Sequence, residues 1–508
     1  MPTSEPVVTE PYRPRLHFSP ARNWMNDPNG LLFHDGTYHL FFQHNPGGPE
    51  WGDIAWGHAT SSDLLTWTEH PVAIPATEHE MIFSGSAVVD AANTSGLGAA
   101  GLGTAEAAPL VAIYTSAYRD HPVHDGNQAQ SVAFSADGGC TWEKYAGNPV
   151  HDRGRTDYRD PKAFWFGPPE SGHWVMVAVD ADASRLVVNV SDDLLRWRTT
   201  STFADARLPE MWECPDLFPL KVEADAGGSG GSGGAVRWVL VLSTGGPGQH
   251  YVVGDFDGES FVEDAGVPPG RVDHGADLYA AASFNGLDRR VLIGWMGQAF
   301  RAPTSPWQGI MSAPRDLALR DVDRVPRLVS RFSPEIGRAE REVVSVEGLR
   351  PGGSGPDGPG PEGSRSQAAT VVVGRGAGLQ QRVRARIVPG SASFAGVRVL
   401  VGEACGTSIG YDRMTGDLVL DRSASGLVAH DGFATPRRVP VRLVDGAITL
   451  DVLTDSMSVE VLVNDGEVAV SELVFPEPGA VGVEVFAEGG DAVVDVRVSD
   501  VGAEIGNR

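Results

Sequence analysis

The sequence predicts an all-β protein, a five-bladed β-propeller followed by a C-terminal β-sandwich. Two patterns carry that prediction. From the amino terminus to Phe332 one unit recurs five times, in which a polar or acidic motif leads into short apolar runs and a Gly/Asp turn closes the unit. After Ser333 the pattern changes to strands of alternating polar and apolar residues. With 63 Gly and 36 Pro among 508 residues, the composition favours many turns over long helices.

The five units are, in order, NDPNGLLFH, TYHLFFQHN and WGHATSSDLLTW; FSGSAVVD, PLVAIYTS and QSVAFSADGGCTW; RDPKAFWF, HWVMVAVD and RLVVNVSDDLLRW; ECPDLFPL, RWVLVLSTG and QHYVVGDFDGESF; ADLYAAASF, RRVLIGWMG and MSAPRDLAL. Runs this short, rich in Val, Ile, Leu and aromatics and bounded by turn residues, are strands. Three units close on related phrases, SSDLLTW, SADGGCTW and SDDLLRW, whose Trp67, Trp142 and Trp197 are expected to pin the outer strand of a blade. The units are longer and less uniform than those of a stacked solenoid, and they match propeller blades.

The propeller is expected over 13–335 and the sandwich over 345–505. Between them SPEIGRAEREV reads as a polar connection and RPGGSGPDGPGPEGSRSQ (350–367) as a loop. The sandwich is expected from eight strands: TVVVGRG, QRVRARIV, FAGVRVLVG, GDLVLDRS, ITLDVLTD, VEVLVNDGE, AVGVEVFAE and AVVDVRVSD. ADAGGSGGSGGA (224–235) reads as an extended loop of the fourth blade. Its G-x-S-x-G, and the G-x-G-x-x-G of Gly96, Gly98 and Gly101, lack the strand-to-helix context that would give either motif a function.

Charge and cysteine content narrow the function. The 66 acidic against 40 basic residues give a net charge of −26, which argues against nucleic acid or an anionic membrane as partner. Cys140, Cys214 and Cys405 are far apart with no C-x-x-C, so neither a disulfide framework nor a structural zinc site is expected. No metal and no cofactor is expected. The opening MPTSEPVVTEPYRPRLHFSP has no apolar core segment, which points to a cytoplasmic protein unless a leader has been removed. Oligomeric state is not encoded in any pattern here.

In a propeller the innermost strand of each blade lines a central channel. The residues opening those strands are Asn26-Asp27, Ser84, Arg159-Asp160, Glu213 and Asp277, with Trp24, Trp51, Trp212 and Trp295 close by in sequence. Acids converging in an aromatic cleft suit either a cation or a sugar. No D-x-D-x-D-G loop is present, which disfavours Ca²⁺. Glycoside cleavage needs one carboxyl as acid and one as nucleophile or base, and Trp faces suit sugar rings.

At these residues the sequence resembles glycoside hydrolase family 32, the invertase, exo-inulinase and levanase family. The resemblance rests on WMNDPNG (24–30), FSGS (83–86), RDP (159–161) and ECP (213–215), supported by YHLFFQHNPGG, EWGDIAWGHA, VGDFDG and MSAPRDLAL. It runs from about Arg13 onward and implies the same propeller and sandwich. It also implies a retaining hydrolase that removes terminal non-reducing β-D-fructofuranosyl residues from sucrose and fructans by double displacement. A fructosyltransferase or a sucrose-specific invertase are the alternatives. By the same resemblance Asp27 is the nucleophile, Glu213 the acid/base, and Asp160 the transition-state stabiliser, helped by Arg159. Asn26, Gln43, Trp51, Phe83, Ser84, Tyr279 and Trp295 fall at positions lining the fructose pocket. NTSG, YAGNPV, TGGPG and PTSPWQG side with the exo-fructanases. The sequence departs from the family at His44, where an aromatic is common, and at Ser456-Met457, where Arg-Ser is usual. Cys214 is expected to be a small buried residue behind Glu213, with no His to activate it.

Overall fold

The computed structural model describes residues 10–98, 108–223, 234–246, 248–297, 300–352 and 369–502. Of the two expected loops, 224–233 and the part beyond 352 lie outside the described residues, as does Gly101. The chain forms two compact units. One comprises Pro20–Ala299 with Gly309–Glu335, the other Ile336–Arg508 with Met1–Ser19 and Phe300–Gln308.

The first unit is a propeller of five four-stranded antiparallel blades. The first is built from Asn23–His34, Thr37–Asn45, Ala55–Ser61 and Thr68–Ile74, and the second from Glu80–Val89, Leu110–Tyr118, Gln128–Ser135 and Glu143–Lys144. Tyr158–Phe166, His173–Asp180, Arg185–Ser191 and Arg198–Phe203 form the third. Trp212–Glu223, Val236–Thr244, Gly248–Phe256 and Phe261–Glu263 form the fourth. Leu278–Ser283, Arg290–Met296, Arg315–Val322 and Val325–Phe332 form the fifth. The leading strands of successive blades pack against one another, and the fifth packs against the first, so the ring closes.

Each blade has a fourth strand that the apolar runs do not reveal. Strands such as TEHPVAI and RTTSTF lie on the rim, mostly exposed or half-buried, and carry no apolar periodicity, whereas Val325–Phe332 of the fifth blade is mostly buried. The repeated phrases do pin these outer strands. The indole Nε1 of Trp67, Trp142 and Trp197 donates to the carbonyl three residues earlier, on Leu64, Gly139 and Leu194, at 3.1, 3.1 and 2.9 Å. Within the same turns Asp63 Oδ1 accepts the amides of Leu65 and Thr66, and Asp193 Oδ1 those of Leu195 and Arg196. The Ser-x-Asp spacing is thus an Asx-type cap that reverses the chain before the tryptophan.

Along the axis, polar groups tie each inner strand to the next. Asn29 Oδ1 accepts the Gly85 amide, and Ser86 Oγ donates to Pro161 O while accepting the Ala163 amide. Asp216 accepts from Lys162 and from Ser283. Backbone bonds between Asn285 and both Leu31 and Phe33 complete the circle.

The second unit is a sandwich of two six-stranded sheets, four strands more than expected. The additional ones are Glu340–Leu349, Thr407–Asp412, Arg437–Pro440 and Val468–Leu473. Glu340–Leu349, read as a polar connection, is a mostly exposed sheet-edge strand paired with Val493–Val501. An edge strand facing solvent needs no apolar alternation. Side chains such as Val383, Ile387, Val397, Val452, Val485 and Val496 fill the space between the sheets. Among the described residues the one α-helix is Pro334–Arg338, and no helix is long and apolar enough to cross a membrane.

His17 belongs to this unit and is fully buried between two carboxylates. Its Nδ1 lies 2.8 Å from Asp455 Oδ2 and its Nε2 2.7 Å from Glu460 Oε1. Asp455 also accepts the amides of Arg15, Leu16 and His17, and Gln380 bonds both Asp455 and Ser456. The divergent Ser456 therefore sits in the turn that receives the amino-terminal segment. Burial opposes the charge of His17, but the two carboxylates outweigh it and push its pKa up to about 9. The stabilisation is full below the unfolded value of about 6.5 and is lost as pH rises through 9. Replacement of His17 by Gln is expected to lower the Tm of this unit by several degrees at pH 6, and by progressively less towards pH 10. A deficit independent of pH would refute the paired imidazolium.

Candidate active site

All five inner strands slip register with their neighbours, and the slips fall at the residues singled out by sequence. They lie between Met25 and Pro28, Phe83 and Gly85, Arg159 and Lys162, Glu213 and Asp216, and Tyr279 and Ala282. The extra residues are Asn26-Asp27, Ser84, Asp160-Pro161, Cys214-Pro215 and Ala280-Ala281. A β-bulge of this kind breaks the in-out alternation of a strand and re-aims side chains. Asp160, Cys214 and Ala280 adopt left-handed φ of 63°, 47° and 51°. Proline, which cannot donate to a sheet ladder, is tolerated at a bulge, which accounts for Pro28, Pro161 and Pro215. The motifs NDP, RDP and ECP are therefore backbone signatures as well as chemical ones. Asp27 and Ser84 lie well inside strands that begin at Asn23 and Glu80, not at their openings.

Three carboxyls meet here. Asp27 Oδ2 accepts from Ser84 Oγ at 2.6 Å, and its Oδ1 accepts from Asn26 Nδ2 at 3.1 Å. Asn26 is held in turn by Trp24 Nε1 at 2.8 Å. Asp160 Oδ2 accepts the Cys214 amide at 2.9 Å. Glu213 has both oxygens occupied: Oε1 by Arg159 Nε and Nη2 at 3.2 Å each, and Oε2 by Tyr279 OH at 2.5 Å. Arg159 is braced by Gln128 Oε1 and Asp157 Oδ1 and touches Met211 Sδ.

Cys214 occupies a different place from the expected one. Its Sγ stands between the two aspartates, 3.6 Å from Asp27 Oδ2 and 3.7 Å from Asp160 Oδ2. Burial and the surrounding negative charge push its pKa well up, so it stays a neutral thiol that donates weakly to both carboxylates and is not a nucleophile.

Burial disfavours charge on both aspartates. Burial raises the Asp27 pKa, aided by the charge of Glu213 and opposed by the Ser84 and Asn26 hydrogen bonds. Asp160 is pushed up to about 7 by burial, with Arg159 pulling down and Glu213 and Asp27 pushing up.

The remaining candidates surround this group. Gln43 is buried and donates from Nε2 to Ile82 O at 2.9 Å. Trp51, 55% exposed, meets Phe83 edge-on at 6.2 Å. Trp295 packs edge-on against Trp24 at 6.0 Å, and its buried Nε1 has no partner among the described residues. Tyr279 and Trp295 pair across the fifth blade. His44 donates through Nδ1 to Trp24 O at 2.8 Å, so the divergent residue supports the bulge. Asp277 is fully buried, and the side chain of its segment that reaches the carboxyls is that of Tyr279. Trp24, expected near the cleft, is the residue that anchors Asn26, whereas Gln128 and Met211 lie in no motif. Among the described residues no group of three or more His, Cys, Asp or Glu is arranged to hold a metal ion.

These features put a group of crowded carboxyls on a propeller axis, an arrangement suited to glycoside chemistry, and comparison with known proteins gives the family. Residues 17–331 match the glycosyl hydrolases family 32 N-terminal domain, and residues 359–500 match the family 32 C terminal domain. The chain belongs to glycosyl hydrolase family 32. It is 38% identical to a levanase of Bacillus subtilis (strain 168), over 96% of this chain and 69% of that protein. It is also 38% identical to the extracellular exo-inulinase inuE of Aspergillus niger, over 96% and 94%. The crystal structure of exo-inulinase from Aspergillus awamori superposes with a TM-score of 0.85 at 34% identity, covering 97% and 98% of the chains. A beta-fructofuranosidase from Schwanniomyces occidentalis complexed with fructosyl-erythritol gives 0.81 at 27% identity, covering 97% and 98%.

Because Asp160 holds its proton more tightly in the folded chain than in the unfolded one, its contribution to stability is present below pH 4 and lost as pH rises through 7. Asp160→Asn is therefore expected to raise Tm at pH 8 by a few degrees and to leave it unchanged near pH 4, as differential scanning calorimetry would show. A loss of stability at pH 8 would contradict the crowding of the three carboxyls.

Proposed function

We propose that this protein is a retaining β-fructofuranosidase of exo-fructanase type, releasing terminal non-reducing β-D-fructofuranosyl residues from sucrose and fructans. The observation that carries the reading is the meeting of Asp27, Asp160 and Glu213, from three separate strands, at one set of bulges. The Asp27 carboxylate attacks C2 of the fructosyl unit while the bond from C2 to the leaving oxygen breaks. Glu213 gives its proton to that oxygen, and a covalent fructosyl-Asp27 results. Water then attacks C2 with its proton passing to Glu213, and the C2–Asp27 bond breaks, which regenerates the acid and frees fructose. Asp160 takes fructose hydroxyls and stabilises the oxocarbenium-like transition state, and Arg159 and Tyr279 hold Glu213 in line.

Asn26, Gln43, Trp51, Phe83, Ser84 and Trp295 line the fructose pocket. The names of the relatives, levanase and exo-inulinase, support the exo-acting choice. A cytoplasmic site of action would fit sucrose and short oligosaccharides, whereas the fungal relatives are named extracellular.

Incubation with sucrose, inulin and levan is expected to yield fructose as the sole monosaccharide from the polymers. Chain-lengthened products would indicate a transferase, and no release would defeat the reading. Asp27→Ala and Glu213→Ala are each expected to lower kcat on sucrose by about 10²–10⁴ or more. On an aryl β-fructofuranoside, whose leaving group needs little protonation, the Glu213 variant should recover a fast first-turnover release of the aryl group, followed by slow turnover, and the Asp27 variant should show neither. Equal recovery would refute the division of roles.

A further inference from the structure

The axis holds a buried ionic cluster that the reaction above does not use. Lys162 Nζ donates to Ser283 O at 2.6 Å and to Asp216 Oδ2 at 3.2 Å. The same Asp216 oxygen accepts the Ser283 amide and Ser283 Oγ, each at 2.6 Å. Arg290 Nη1 donates to Ser283 Oγ and to Phe284 O, at 3.2 Å each. Asp216 is fully buried, and its Oδ1 has no partner among the described residues.

The placement of this cluster is specific. Lys162, Asp216 and Ser283 each stand just past the bulge of their own strand, and those bulges present Asp160, Glu213 and Tyr279. The seams between the first three blades are tied by neutral bonds from Asn29 and Ser86. Ionic ties lie where the third, fourth and fifth blades meet. Lys162, Ser283, Asp160 and Cys214 line one small cavity of about 30 Å³.

Stability alone does not explain such a cluster, because well-packed apolar residues often serve as well as a buried ion pair. The choice of lysine is informative too. The chain has three Lys among its 40 basic residues, and one of them is here. A compact ammonium suits two acceptors on different strands, whereas a guanidinium fork does not.

We infer that Lys162, Asp216 and Ser283 are positioning residues that fix the strands of Asp160, Glu213 and Tyr279 relative to one another. The inference rests on the roles proposed above for those three. A bulged strand can slide by fractions of an ångström, and misplacement of about 1 Å costs about 10²-fold in rate. With the tie intact, Asp160 keeps its setting among Arg159, Asp27, Glu213 and the Cys214 thiol. Lys162 itself is faced by Asp216 and Arg290.

The test compares Lys162→Met/Asp216→Asn, which removes both charges together, and Ser283→Ala with the wild type on sucrose. Cooperative unfolding and the kcat/KM–pH profile are followed alongside. The folded double variant is expected to lose about tenfold or more in kcat with KM within about threefold, and to shift its pH profile by about half a unit or more. Ser283→Ala should move in the same direction by about threefold. A folded double variant with wild-type kcat and an unshifted profile overturns the inference. If the double variant does not fold, wild-type behaviour of Ser283→Ala overturns it. A wild-type enzyme that releases no fructose defeats the underlying reading instead, and that result is separate from both.

Discussion

Asp27 and Asp160 approach the same thiol, and Glu213 adds a third carboxyl to the group. Burial and the neighbouring carboxylates both work against ionising Asp27 and Asp160, and the rest of the site is arranged around that strain. Each carboxyl receives its own donors: Ser84 and Asn26 for Asp27, the Cys214 amide for Asp160, Arg159 and Tyr279 for Glu213. The donors come from all five blades, so the constellation exists only when the ring is closed. Asp160, buried and held by the amide and the thiol of Cys214, is pushed up to about 7, first by burial.

A propeller suits this problem because its inner strands converge from independent blades. A regular strand would alternate its side chains between two faces. The five bulges suspend that alternation at one depth and turn Asp27, Ser84 and Asp160 into a shared space. The bulges also loosen the strands, and the axial bonds of Asn29, Ser86, Lys162, Asp216 and Ser283 restore a fixed register between blades. Chemistry and architecture thus meet within a few residues of each other on every inner strand.

Much of this was legible in the sequence. Apolar runs gave the inner three strands of the blades because those strands are buried, and the Ser-x-Asp…Trp phrases marked the turns because a hydrogen-bonded cap has a fixed spacing. The rim strands and the sandwich edge Glu340–Leu349 were hidden, since solvent-facing strands carry no apolar signal. Family motifs pointed to the three carboxyls, yet the motifs were read as strand openings. That their prolines mark bulges needs register, which no single strand reveals. The place of Cys214 between two aspartates, and the bracing of Arg159 by Gln128, arise from side chains distant in sequence and have no local pattern.

Double displacement at this site requires Asp27 to form a bond to the sugar. The direct measurement is mass spectrometry of the Glu213→Ala variant quenched during turnover of an aryl β-fructofuranoside, where release of the covalent intermediate is slowed. A hexosyl increment on the peptide bearing Asp27 is the result predicted. An increment on the Asp160 peptide, or turnover with no adduct at all, would contradict the assignment of nucleophile and the double displacement with it.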